Sequence, residues 1–120
     1  MANKKKLLGY INVSGKPYAI YLCDLAGDCE HESWAGKAYI EDGIILVNQD
    51  NSKQDIQKTI WHEVCHAWFA RSGFKQVIGH DTEEIIVESL SNFLFDLIGR
   101  APISASKKLP KKPKIRPGIK

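Results

Sequence analysis

Residues 50–73 read Asp50-Asn51-Ser52-Lys53-Gln54-Asp55-Ile56-Gln57-Lys58-Thr59-Ile60-Trp61-His62-Glu63-Val64-Cys65-His66-Ala67-Trp68-Phe69-Ala70-Arg71-Ser72-Gly73. Between Ser52 and Gly73 there is no glycine or proline, and Ile56, Ile60, Val64 and Ala67 or Trp68 recur at helical spacing. Ser52 is a suitable N-cap, and Asp55 three residues later resembles a capping box. Gly73 supplies a C-cap. The pattern predicts one long helix with an apolar stripe.

That helix carries His62-Glu63-Val64-Cys65-His66, an HExxH motif. Residues at i and i+4 share a helix face, so both imidazoles can reach one ion. Zinc accepts imidazole nitrogen readily, and a catalytic zinc keeps three protein ligands and one water. Glu63, one residue on from His62, can lean over the metal and take a proton from bound water as general base. The plainer reading is a helix surface with two histidines by chance. The chain has only four histidines, and two of them fall at ligand spacing in mid-helix. Cys65 points away from the metal if the histidines point toward it, so it reads as buried packing. Trp61, Trp68 and Phe69 read as core and pocket lining.

Moving toward the C-terminus, Asp81 or Thr82 can cap a second helix that runs to about Ile98. Ile86, Leu90, Phe93, Leu94 and Leu97 make its apolar stripe, and Gly99 with Pro102 ends it. Three acids on this helix compete to be the third metal ligand: Glu83, Glu84 and Glu88. Glu83 falls in line with the apolar stripe. Glu88 opens the run Glu88-Ser89-Leu90-Ser91-Asn92, in which the small Ser91 lets two helices approach and Asn92 can hydrogen-bond a ligand from behind. Glu88 is the favoured ligand on this reading. His80 and His31 read as polar loop residues, although His80 could also stabilise an oxyanion or serve as a ligand.

Moving toward the N-terminus, the pattern changes to strands. Leu7–Val13 and Tyr18–Leu22 are rich in aromatic and β-branched residues and flank Ser14-Gly15-Lys16-Pro17, which is turn chemistry. Lys37–Ile40 and Ile44–Val47 flank Glu41-Asp42-Gly43, a second hairpin candidate. Residues 24–36 read as a loop. Strands first and helices after imply an α+β domain: a small twisted, mainly antiparallel sheet followed by two helices.

Composition agrees with one soluble domain. The chain has 120 residues, 43% hydrophobic and 26% charged, near the averages for globular proteins. No apolar run approaches the roughly 18 residues of a membrane span, and the N-terminus lacks the apolar core of a secretory signal. A cytoplasmic location is expected. Three cysteines, an odd count, argue for reduced thiols at Cys23 and Cys29 over a disulfide framework or a second metal site. The net charge of +3 is concentrated at the end. Residues 107–120, KKLPKKPKIRPGIK, hold seven basic residues and no acid. That segment cannot bury enough apolar surface to offset ordering and reads as disordered. It could serve as a tether for nucleic acid or an anionic surface.

His62-Glu63-Val64-Cys65-His66-Ala67, followed by Glu88-x-x-Ser91-Asn92-x-Leu94, resembles the gluzincin pattern. It looks like the ImmA/IrrE-type metallopeptidases and the small zincin-like proteins of bacteriophages, with a more distant likeness to the thermolysin active-site helices. The likeness spans roughly residues 36–99, with specific motifs only in the two helices. It implies a zincin-like metallopeptidase of a bacterium or phage-infected host cell, in a domain that the patterns bound at residues 1–102, with a disordered basic tail over 103–120. It also implies Zn2+ on His62, His66 and Glu88, Glu63 as base, Asn92 behind the ligands, and a protein or peptide substrate. The alternative is a non-catalytic zinc protein that associates with nucleic acid or a partner through its tail.

Overall fold

The computed structural model describes residues 5–23 and 35–105. The chain forms β1 (Lys6–Val13), β2 (Lys16–Cys23), β3 (Gly36–Tyr39) and β4 (Ile44–Asn48), then helices α1 (Lys53–Ser72) and α2 (His80–Ile98). This is the α+β arrangement expected from the order of patterns. Both hairpins form. Ser14 and Gly15 take φ values of 49° and 85°, and two consecutive positive φ angles make the tight turn whose twist suits a hairpin. Gly43, at φ 68°, closes the second hairpin by donating its N–H to the Tyr39 carbonyl at 3.0 Å.

The sheet order is β1-β2-β4-β3. β1/β2 and β3/β4 are antiparallel, whereas β2 and β4 are parallel, with Ile20 opposite Ile45 and Leu22 opposite Val47. The sheet is therefore mixed. β4 lies between two neighbours, and Ile45, Leu46, Val47 and Asn48 are all buried, which is why its apolar residues run on without alternating.

α1 lies against the sheet, and α2 lies chiefly against α1. Ser52 caps α1 as expected, its hydroxyl accepting from the Asp55 N–H at 3.1 Å, and Gly73 ends the helix at φ 90°. The core joins Ile11, Val13, Tyr18, Ile20, Ile45 and Val47 of the sheet to Ile60, Trp61 and Ala67 of α1. Cys65, Phe69 and Val87 form a second cluster where the helices meet. Two side chains fasten distant elements: Trp61 donates to the Gly99 carbonyl at 2.7 Å, and Arg71 donates to the carbonyls of Val13 and Ser14 at 3.1 and 3.2 Å.

Four expectations change. First, α2 begins at His80 with Gly79 as cap, not at Asp81 or Thr82; Asp81 instead lies in the first turn, where a negative charge suits the helix dipole. His80 is thus a helical residue, exposed at the start of α2. Second, the apolar stripe of α2 is turned largely outward. Ile86, Phe93 and Leu97 are 38%, 58% and 68% exposed, while Glu83, Val87 and Ser91 are buried. Third, the domain continues beyond Pro102. Ser104 exchanges backbone hydrogen bonds with Tyr10 at 2.7 and 2.8 Å, and Ile103 packs on the core. Gly9 makes this possible: a Cβ there would sit 2.6 Å from the Ser104 carbonyl oxygen. Fourth, Cys23, buried at the end of β2, is disulfide-bonded rather than reduced. Cys29, His31, most of the expected 24–36 loop and the basic tail from Ser106 lie outside the described residues.

Candidate metal centre

The middle of α1 presents His62 and His66 to α2, one turn apart. Their Nε2 atoms lie 3.2 Å from each other. The carboxylate of Glu84 reaches the same point, with Oε2 3.2 Å from His66 Nε2 and Oε1 3.8 Å from His62 Nε2. Two nitrogens bound tetrahedrally to one zinc at about 2.0–2.1 Å would stand roughly 3.3 Å apart. The spacing of these donors fits that geometry, and the ligand atoms of His62, His66 and Glu84 all lie within 4.8 Å of one another.

The opposite edges of both imidazoles are held by other carboxylates. Glu83 Oε2 lies 2.7 Å from His66 Nδ1, and Glu88 Oε1 lies 3.1 Å from His62 Nδ1. A carboxylate at Nδ1 accepts its hydrogen and fixes the tautomer that leaves Nε2 a lone pair. Both Nε2 lone pairs and a Glu84 oxygen then converge with no hydrogen among them. A cation relieves that concentration of negative potential, so the residues fit a divalent metal ion.

Glu88, the ligand favoured by the sequence pattern, lies away from the point where the two Nε2 atoms meet. Glu88 touches the far nitrogen of His62, not the shared face, because it lies one turn further along α2 than Glu84. Asn92 stands behind Glu88, donating to its Oε2 at 3.4 Å. Glu83 is buried to 2% exposure and supports His66. Its position in line with the apolar residues was a sequence signal of burial. The Glu84-Glu88 pair, four residues apart like His62 and His66, was the signal for the ligand face. Ser91 is buried against the cleft as expected, its hydroxyl donating to the Glu88 carbonyl at 3.2 Å.

Glu63 lines a cleft of about 280 Å³ with His62, Glu88, Ser91, Asn92, Lys58 and the start of β3. Desolvation raises its pKa above the ordinary carboxylate value of 4.5, against the opposing pull of His62 and His66. Gly36 brings β3 close behind it: a Cβ at that position would lie 2.6 Å from Thr59 Cγ2 and 3.3 Å from Glu63 Cγ. Cys65 faces elsewhere, toward an apolar cavity with Val64, Trp68, Leu90 and Leu94. Burial pushes its thiol up to about 11, so it stays protonated and unreactive. Among the described residues no fourth His, Cys, Asp or Glu joins the donor group.

Comparison of the chain with protein-family models, with curated proteins and with solved structures finds no match in any of the three.

Proposed function

We propose that the chain is a zinc-dependent metallopeptidase in which His62, His66 and Glu84 hold the ion and Glu63 acts as general base. The observation that carries this reading is the convergence of three metal donors, each imidazole braced from behind, beside a half-buried carboxylate in an open cleft. Zinc bound there would supply a polarised water and a Lewis acid for a carbonyl.

The protein's own residues supply the rest. Glu63 is the proton acceptor: desolvation raises its pKa, which makes its carboxylate a stronger base than that of an exposed glutamate. Glu83 and Glu88 hold the two imidazoles in the tautomer that exposes Nε2. Asn92 holds Glu88. A set of three donors with one position left open suits a catalytic ion, whereas structural zinc is closed by four protein ligands.

The substrate would be a protein or peptide; no helix among the described residues is long and apolar enough to cross a membrane. The test is paired. Zinc-loaded protein is screened against a peptide library, and zinc content and turnover are measured on wild type, Glu63→Gln and His66→Ala. Cleavage that survives in Glu63→Gln overturns the base assignment. Absence of cleavage by fully loaded wild type favours a zinc protein that binds a partner or nucleic acid without turnover.

A further inference from the structure

α2 rests on α1 with one flank and leaves another flank uncovered. Ile86, Leu90, Phe93 and Leu97 recur at intervals of four, three and four residues, the spacing of a helix–helix seam. At about 100° per residue these four fall within an arc of roughly 60°. Glu84 and Glu88 lie on the opposite side of the helix, so the seam faces away from the metal centre. Ile86, Phe93 and Leu97 are exposed, as are Trp68, which shares a cavity with Leu90, and Phe74, whose ring lies tilted against that of Trp68 at 5.6 Å. The cavity of about 340 Å³ between Trp68, Leu90 and Leu94 continues the same apolar surface.

We propose that this face is the interface of a two-fold symmetric homodimer, in which α2 packs antiparallel against α2 of a second copy. Three observations select a second copy as the occupant. The first is self-complementarity. The intervals four, three, four read the same in both directions, so an antiparallel partner sets Ile86 against Leu97 and Leu90 against Phe93 on both sides of one axis.

The second is area. The exposed parts of Trp68, Phe74, Ile86, Phe93 and Leu97 come to on the order of 500 Å², taking about 150–250 Å² for a whole aromatic side chain. That lies in the upper part of the range of about 300–600 Å² found for the largest patch of a monomer, a patch that is often functional. Doubled across a two-fold axis and joined by a polar rim, it reaches the roughly 1,000 Å² of a specific interface.

The third is charge. α2 contains no lysine or arginine, so it offers this face no cationic side chain to hold nucleic acid or an anionic membrane. Antiparallel pairing brings Arg100, just past the end of one α2, toward the acidic first turn of the other, which carries Asp81. It also opposes the two helix dipoles.

The test is sedimentation velocity of the full chain over a range of concentrations, with a dimer that dissociates on dilution as the expected result. Phe93→Glu and Leu97→Glu should each raise the dimer dissociation constant by roughly a hundredfold or more, with helical content and metal content unchanged. Ile85→Glu, exposed on α2 but roughly 110° from the centre of the seam, should leave the dimer intact. Orientation is read from cysteines in the otherwise unchanged chain, which also covers the case that a glutamate variant fails to fold. The Ile86→Cys/Leu97→Cys double variant should form interchain disulfides on oxidation, and neither single variant should. A chain that stays monomeric at all concentrations overturns the proposal. So does a dimer indifferent to Phe93→Glu and Leu97→Glu, ready cross-linking of either single cysteine variant, or a monomer that instead partitions onto anionic vesicles.

Discussion

The Nδ1 of His66 lies 2.7 Å from the buried carboxylate of Glu83, and this contact sets the orientation of α2. A carboxylate taken out of water needs a strong partner. His66 provides one when α2 is rotated to face Glu83 inward. The same rotation carries Glu84 to the two Nε2 atoms and turns Ile86, Phe93 and Leu97 outward.

Ligand and brace can be told apart by metal affinity. Glu84→Ala should lower zinc affinity more than Glu88→Ala, because only Glu84 shares the face of both Nε2 atoms. Loss of a bracing group typically costs about 10- to 100-fold in affinity. Competition against a calibrated chelator gives the ranking, and a larger loss in Glu88→Ala would restore Glu88 as ligand.

Glu83 tests the brace from the buried side. Glu83→Gln keeps the shape and an acceptor for the His66 Nδ1–H, so it should fold and bind zinc about 10-fold more weakly or worse. Glu83→Leu leaves His66 Nδ1 without its partner and should lower both affinity and melting temperature. Zinc titration with thermal unfolding checks both, and unchanged affinity in the two variants would reduce Glu83 to a packing residue.

Glu63 gives a pH-dependent signature in the metal-free protein. Its folded-state pKa is raised above 4.5, so folding favours the protonated form. The stability that this proton confers is fully present below the unfolded value and is lost as pH rises through the folded one. Glu63→Gln mimics the protonated form at every pH. In chelator, the variant should therefore melt higher than wild type at neutral pH, with the gap closing as pH approaches 4.5. A gap that widens on acidification would reverse the sign. In the zinc-loaded protein the same change should slow turnover by roughly two to four orders of magnitude.

Gly36→Ala would push a Cβ toward Thr59 and the Leu46 carbonyl oxygen, 2.6 and 3.0 Å away. Crowding of this kind costs about 1–3 kcal/mol. Since Glu63 lies in the same contact, turnover should fall further than zinc content does. Denaturant unfolding and metal analysis separate the two effects.

Truncation locates the end of the domain. A chain ending at Ala105 keeps the Tyr10–Ser104 pairing and should unfold near the wild-type midpoint, whereas one ending at Pro102 loses that pairing and Ile103 and should melt lower. Removing residues 106–120 should also abolish salt-sensitive binding to nucleic acid, if the tail supplies it. Equal midpoints for the two truncations would return the boundary to Pro102.

Local patterns made much of this protein legible in its sequence. Ser52 and Gly73 delimit α1 because caps act within one turn. Gly15 and Gly43 mark both hairpins because a tight turn needs positive φ. His62, Glu63 and His66 could be grouped because they lie on one helix, where spacing alone fixes which side chains share a face. The parallel pairing of β2 with β4 was visible only as an unbroken apolar run in β4, which is equally consistent with other buried positions.

Between two helices, spacing fixes nothing until one rotation angle is known. The sequence by itself determined that α2 offers Glu83, Glu84 and Glu88 to a metal-binding helix; only the tertiary structure decided that Glu84 meets both Nε2 atoms while Glu83 and Glu88 stand behind the rings. An apolar stripe would have placed Ile86, Phe93 and Leu97 inward, but a buried carboxylate paired to histidine outweighed them. Hydrophobic burial has no direction, so it can be satisfied on another surface. A carboxylate–imidazole hydrogen bond is satisfied at one distance and one angle, and so it set the rotation.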